Sequence, residues 1–238
     1  MKKIVCDTYE DICRIAADIY TEQLKVKPNS VLGLATGSTP IGLYKELIRR
    51  YEAGELDFSN AQSFNLDEYY PIDSKHHQSY AYFMKEQLFD KINLSKTQIP
   101  NGNATDPVAE CERYDAEIDK AGGIDLMLLG IGHNGHIGFN EPATSYHVGA
   151  HLVNLTESSI NANSRFFGAD EKQPTEALTM GIGHIFGAKK VILLISGAAK
   201  AEIARKLFEG MIHTDVPACL LLLHPNLTVI VDKGANGE

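Results

Sequence analysis

The chain has 238 residues, 44% hydrophobic and 22% charged, enough for one substantial core. Its 22 basic and 31 acidic side chains give a formal charge of −9 with histidine neutral, which argues against broad capture of nucleic acid or of an anionic membrane. A phosphorylated ligand would then need a local positive field set against the global one.

Taken in order, residues 3–5 read as a first strand, and Thr8 with Asp11 forms a capping box opening a helix whose Ile12, Ile15, Ala16 and Ile19 recur at helical spacing. A strand over residues 30–35 feeds a turn and a helix that begins at Pro40 and carries Leu43, Leu47 and Ile48. Residues 62–66 form the next strand. Pro107 opens a helix through Tyr114 and Ile118 that Gly122-Gly123 ends, and strands follow at 124–129, 151–154 and 191–195. Residues 196–201 start another helix, residues 218–223 and 228–231 read as strands, and residues 233–238 as a frayed polar tail. Short aliphatic runs alternating with amphipathic segments are the pattern of an α/β layered fold with a mostly parallel sheet. Without repeats, low-complexity tracts or linkers, residues 1–238 are expected to form a single domain.

The N-terminus lacks the apolar core of a signal peptide, and the longest aliphatic runs are strand-sized. Cys6, Cys13, Cys111 and Cys219 are scattered without C-x-x-C spacing, so a cytoplasmic protein with reduced thiols and no thiolate metal site is expected.

Ligands of such sheets sit at the carboxyl ends of the strands, and four of those ends carry chemistry. The turn Ala35-Thr36-Gly37-Ser38-Thr39-Pro40 offers backbone N–H groups, hydroxyls and a helix N-terminus to a phosphate; as a plain capped turn it would look the same. It lacks the lysine of a P-loop. Asp67 and Glu68 end the third strand, and alternation sends at most one of them into the cleft, as a general base or as a loop cap. In Gly130-Ile131-Gly132-His133-Asn134-Gly135-His136-Ile137-Gly138-Phe139-Asn140-Glu141-Pro142, His136 supplies a proton carrier and Glu141 a carboxylate to tune it. The same segment fits G-x-G-x-x-G, but Gly138, Asn140 and Pro142 break the helix that a dinucleotide fingerprint requires. His133 with His136 lacks a third metal ligand. Lys200, in the first turn of its helix, opposes the helix dipole unless an anion shares the site. Arg165, between polar and aromatic residues, reads equally as part of a closing segment and as a surface helix end. Together these residues equip a cleft for proton transfer on a sugar-phosphate-like molecule without a redox cofactor.

At L-A-T-G-S-T-P-I-G-L-Y, F-N-L-D-E-Y-Y, S-Y-x-x-F-M, L-G-I-G-H-N-G-H-I-G-F-N-E-P, N-S-R-F-F and S-G-A-A-K-A the chain resembles the glucosamine-6-phosphate deaminases, nearly end to end. The resemblance implies a Rossmann-like three-layer sandwich. It also implies conversion of D-glucosamine 6-phosphate and water to D-fructose 6-phosphate and ammonia, with no metal, nucleotide or other cofactor. By the same resemblance His136 opens the sugar ring, supported by Glu141 and Asn134, and Asp67 moves a proton from C2 to C1. Thr36, Gly37, Ser38 and Thr39 with Arg165 and Lys200 take the phosphate, and the segment around Arg165 is a lid. Asn134 departs from the Asp of many members; an amide carries no charge, so support of His136 would rest more on Glu141.

Two rivals stand beside this expectation. A 6-phosphogluconolactonase-like hydrolase resembles the chain in its Gly-rich segments but tends to an S-L-F-P continuation where this chain has Gly138-Phe139-Asn140-Glu141-Pro142. A non-catalytic sugar-phosphate-sensing domain would have little reason to keep Asp67, His136 and Glu141 together. The expected partner is a small sugar phosphate rather than nucleic acid or membrane, and the expected assembly a monomer or small homo-oligomer.

Overall fold

A computed structural model describes residues 1–157, 159–160, 173–213 and 215–238. Its central sheet has seven strands in the order β1 (Lys2–Cys6), β10 (Leu227–Asp232), β9 (Val191–Ile195), β6 (Leu126–Leu129), β2 (Val31–Leu34), β3 (Gln62–Asn65) and β5 (Lys96–Gln98). Every neighbouring pair in it is parallel. Helices cover both faces, which is why β2, β6 and β9 are buried along their whole lengths. A second sheet, antiparallel, joins β4 (Asp67–Tyr70), β8 (Glu176–Thr179) and β7 (His151–Asn154). Among the described residues the α-helices are α1 (Tyr9–Val26), α2 (Ile41–Glu52), α3 (Tyr80–Gln87), α4 (Pro107–Lys120), α5 (Ile182–Gly187), α6 (Ala201–Phe208) and α7 (Lys233–Asn236). Among the described residues no helix is long and apolar enough to cross a membrane.

Local chemistry explains the helix starts. Thr8 Oγ1 accepts the Asp11 N–H at 3.1 Å and donates to the Asp11 carboxylate at 2.9 Å, a reciprocal cap for α1. Asp106 accepts the N–H groups of Val108 and Ala109, with Pro107 in the first turn of α4. Two fully buried tyrosines then fix the strand ends that matter for the site. Tyr44 of α2 donates to the Ala35 carbonyl at 2.5 Å, just beyond β2, and Tyr114 of α4 donates to the Asn65 carbonyl at 2.7 Å, the last residue of β3. Each bond contributes about 1 kcal/mol net, and leaving the carbonyl unpaired costs about 1–3 kcal/mol. At the opposite end of the sheet Asp125 is buried and receives Lys27 and Lys189, both at 2.6 Å, and the Val31 N–H at 2.8 Å.

Three expectations need correction. Residues 218–223 are no strand but part of a 3₁₀ helix, Pro217–Leu223. The run contains no β-branched residue and four leucines, so nothing in it favours extended backbone, and Pro217 opens it. Residues 233–238 are not a frayed tail. Asp232 accepts the Ala235 N–H at 2.7 Å, Ala235 is buried, and Lys233 pairs with Asp7 at 2.7 Å. Helix α2 starts at Ile41, one residue later than expected, with Pro40 at the capping position. Unforeseen strands were β4, β5 and β8, each of three or four residues.

Candidate active site

A cavity of about 350 Å³ opens at the carboxyl ends of β2, β3, β6 and β9. Its wall brings together Thr36, Gly37, Ser38, Thr39, Asp67, His136 and Lys200, residues that lie on four separate segments of the chain. Asn134 and Glu141 stand behind His136. Arg165 lies outside the described residues.

Asp67 is the first residue of β4, so the chain leaves the parallel sheet at Leu66 and enters the small sheet with its alternation intact. Asp67 therefore faces the cavity while Glu68 points away and accepts the N–H groups of Tyr69, Tyr80 and Ala81 at 2.9, 2.8 and 2.8 Å. Tyr80 and Ala81 are the first residues of α3, so Glu68 is the anion seated on that helix N-terminus. Asp67 is 7% exposed, and burial, together with the Glu68 charge beside it, pushes its carboxyl up to about 8. Burial also raises Glu68, and its three backbone donors counter that rise. We place the proton on Asp67 first, because among the described residues Glu68 has N–H donors to hold a negative charge and Asp67 has none.

His136 packs on bare backbone: a Cβ at Gly132 would lie 2.4 Å from the imidazole Cε1, so only glycine leaves room for the ring. The same loop approaches Asp67, since a Cβ on Gly138 would lie 3.5 Å from its Oδ2. Behind the imidazole, Nδ1 is 3.2 Å from Glu141 Oε1. That is ion-pair range, yet Nδ1 makes no aligned hydrogen bond among the described residues, so its contact with Glu141 is electrostatic. Asn134 donates to Glu141 Oε2 at 2.5 Å, and Ser159 donates to Oε1 at 2.8 Å. Burial would raise the Glu141 carboxyl, but His136, Asn134 and Ser159 override it and hold the group at about 2. The amide at position 134 thus touches the histidine in two ways: it donates to its carboxylate partner, and its Oδ1 accepts the His136 backbone N–H at 3.3 Å.

Lys200 is half-buried, donates to the Ile131 carbonyl at 2.9 Å, and has its amine lowered by burial. Its charge is the first cause, ahead of burial, of a lowered His133 imidazole. No helix follows Gly130-x-Gly132-x-x-Gly135, so the dinucleotide reading lacks its structural context. Site residues that the sequence did not single out are Tyr80, Phe139 and Ser159, which line the same cavity. The Tyr80 and Phe139 rings stack at 9° with centroids 6.2 Å apart. The only sequence signal for Tyr80 was its place in the S-Y-x-x-F-M motif, and for Ser159 there was none.

The profile of a family described as glucosamine-6-phosphate isomerases/6-phosphogluconolactonase matches residues 7–230. The chain belongs to this family. A protein named glucosamine-6-phosphate deaminase from Thermoanaerobacter pseudethanolicus is 54% identical, over 99% of this chain and 94% of its own length. One of the same name from Clostridium perfringens is 50% identical over 99% of this chain and 98% of its own. Among solved structures, a monomeric glucosamine-6-phosphate deaminase superposes with a TM-score of 0.96 at 48% identity, covering 100% of this chain and 99% of that one. A 6-phosphogluconolactonase from Thermotoga maritima shares the fold at a TM-score of 0.76, with 18% identity over 98% of this chain and all of its own.

Proposed function

We propose that this family member converts D-glucosamine 6-phosphate and water to D-fructose 6-phosphate and ammonia. The observation that carries the reading is the convergence of Asp67 and the His136–Glu141 pair on one cavity that also holds the Thr36–Thr39 turn and Lys200. A lactonase needs no carbon acid chemistry and gives no reason for a buried carboxyl pushed up to about 8.

The residues divide the work as follows. The phosphate sits on the N–H groups and hydroxyls of Gly37, Ser38 and Thr39, with Thr36 beside them and Lys200 and Arg165 supplying positive charge. His136 moves a proton from the anomeric hydroxyl to the ring oxygen, and the charge held on Glu141 stabilises the imidazolium form. The open-chain aldehyde acidifies the C2–H. Asp67 removes that proton to give an enolamine and returns it at C1, leaving a ketimine at C2; water adds there and ammonia leaves. The substrate ammonium, placed near the Asp67 carboxyl, favours the ionised form that the base needs. The enzyme works as a single catalytic domain without a metal or other cofactor. It acts as a monomer or small homo-oligomer, the monomer being supported by the 48% identical relative. Its four cysteines are free and buried, which suits the cytoplasm.

The test is release of ammonia and fructose 6-phosphate from glucosamine 6-phosphate with no added cofactor, run beside hydrolysis of 6-phosphogluconolactone. Turnover of the amino sugar alone is expected. Turnover of the lactone alone would replace the reading.

A further inference from the structure

Helix α2 begins behind the phosphate turn with an unusual deficit. Pro40 stands at its capping position and offers no side-chain acceptor, so the N–H of Gly42, the second helical residue, lacks the partner that a Ser, Thr or Asp cap would give it. That partner comes from another helix. Gly42 donates to the Tyr9 hydroxyl at 2.9 Å, and the same hydroxyl donates to the Thr39 carbonyl at 2.8 Å, with the Ser38 carbonyl at 3.4 Å. Tyr9 is the first residue of α1 and lines a separate crevice between α1 and α2, outside the catalytic cavity. A Cβ at Gly42 would lie 2.9 Å from the Tyr9 hydroxyl and 2.5 Å from Cys13 Sγ, so this approach of the two helices depends on glycine there.

We infer that Tyr9 is a positioning residue for the phosphate seat, acting from behind through the Thr39 and Ser38 carbonyls; the inference rests on the turn being that seat. Pro40 has no N–H, so the donors before the helix are those of residues 37–39. An anion is held by them only while the carbonyls of the same turn face away from it. The Tyr9 hydroxyl, outside the cavity, gives the Thr39 carbonyl a partner at 2.8 Å and takes the Gly42 N–H in the same step, while the Ser38 carbonyl also accepts the Ile41 N–H at 3.4 Å. Burial pushes its phenol up to about 12, so it keeps the proton it donates across the working pH range.

The decisive comparison is Tyr9→Phe beside Lys200→Ala and Tyr20→Phe, with steady-state kinetics on glucosamine 6-phosphate and competitive inhibition by inorganic phosphate. Tyr20 lies on the same helix and its buried hydroxyl has no hydrogen-bond partner among the described residues, so its loss controls for helix packing. Tyr9→Phe should raise KM and the inhibition constant of phosphate together, about 3–10-fold, with kcat within about 2-fold of the parent. Tyr20→Phe should leave both constants unchanged. An unchanged KM in Tyr9→Phe while Lys200→Ala raises it would overturn the inference and spare the phosphate seat. If neither variant moves KM, the seat is misplaced and the inference falls with it. A fall in kcat and thermal stability with KM unchanged would make Tyr9 a packing residue only.

Discussion

Asp67 and Glu68, neighbours in the chain, leave β4 on opposite faces: one carboxyl lines the cavity and the other sits on the α3 N-terminus, 2.8 Å from the N–H groups of Tyr80 and Ala81. The pairing joins structure to chemistry. Glu68 ties the helix that carries Tyr80 to the strand that carries Asp67, and its charge helps keep the Asp67 carboxyl protonated.

This relationship sets the acid limb of the pH profile. As the proposed base, Asp67 would work ionised, so kcat/KM should rise with pH through a limb lying well above the ordinary carboxylate range. Glu68→Gln removes a negative neighbour and should move that limb to lower pH. A limb unmoved in a folded Glu68→Gln variant would leave burial as the sole cause.

The same group links activity to stability. In an unfolded chain Asp67 titrates near 4, and in the folded protein at about 8. The folded state therefore holds the extra proton between those values; the contribution to stability is full below about pH 4 and is lost as pH rises to about 8. Asp67→Asn abolishes that loss. Its melting temperature should exceed the parent's by more at pH 9 than at pH 5, and a difference independent of pH would show that the carboxyl is not perturbed.

Asn134→Asp tests the histidine support. Asn134 donates to Glu141 across 2.5 Å, and a carboxylate there would force the pair to share a proton. An additional ionisation should then appear on the acid side of the kcat profile. A profile indistinguishable from the parent's would mean that the amide does not govern Glu141.

Gly132→Ala places a Cβ 2.4 Å from the His136 ring, which must move. If His136 is the acid/base group as proposed, a fall in kcat of about 10-fold or more is expected, with KM altered less, because a displaced ring would lose its alignment with the reacting oxygen. Near-normal kcat would show that the ring position is not critical.

Much of this was legible before the structure. The parallel strands and the capped helices follow from period and punctuation, and His136, Asp67 and Lys200 were marked by chemistry that strand ends concentrate. Residues 218–223 were misread because an aliphatic run has no period to separate a strand from a buried 3₁₀ turn. The strands β4 and β8 escaped because they belong to a small antiparallel sheet and β4 follows directly on β3, and β5 because Lys96-Thr97-Gln98 carries no apolar residue. Tyr80, Ser159 and Tyr9 reach their partners across gaps of 12 to 33 residues, and no local pattern encodes such pairs.

The role of Asp67 is tested most directly with glucosamine 6-phosphate deuterated at C2. The parent enzyme should show a primary isotope effect on kcat/KM and give fructose 6-phosphate whose label lies at C1 or has been lost to solvent. Asp67→Asn should bind the sugar phosphate but turn it over about 10²–10⁴-fold more slowly. Absence of a primary isotope effect on kcat/KM, or a near-parental rate in Asp67→Asn, would contradict proton transfer by this residue.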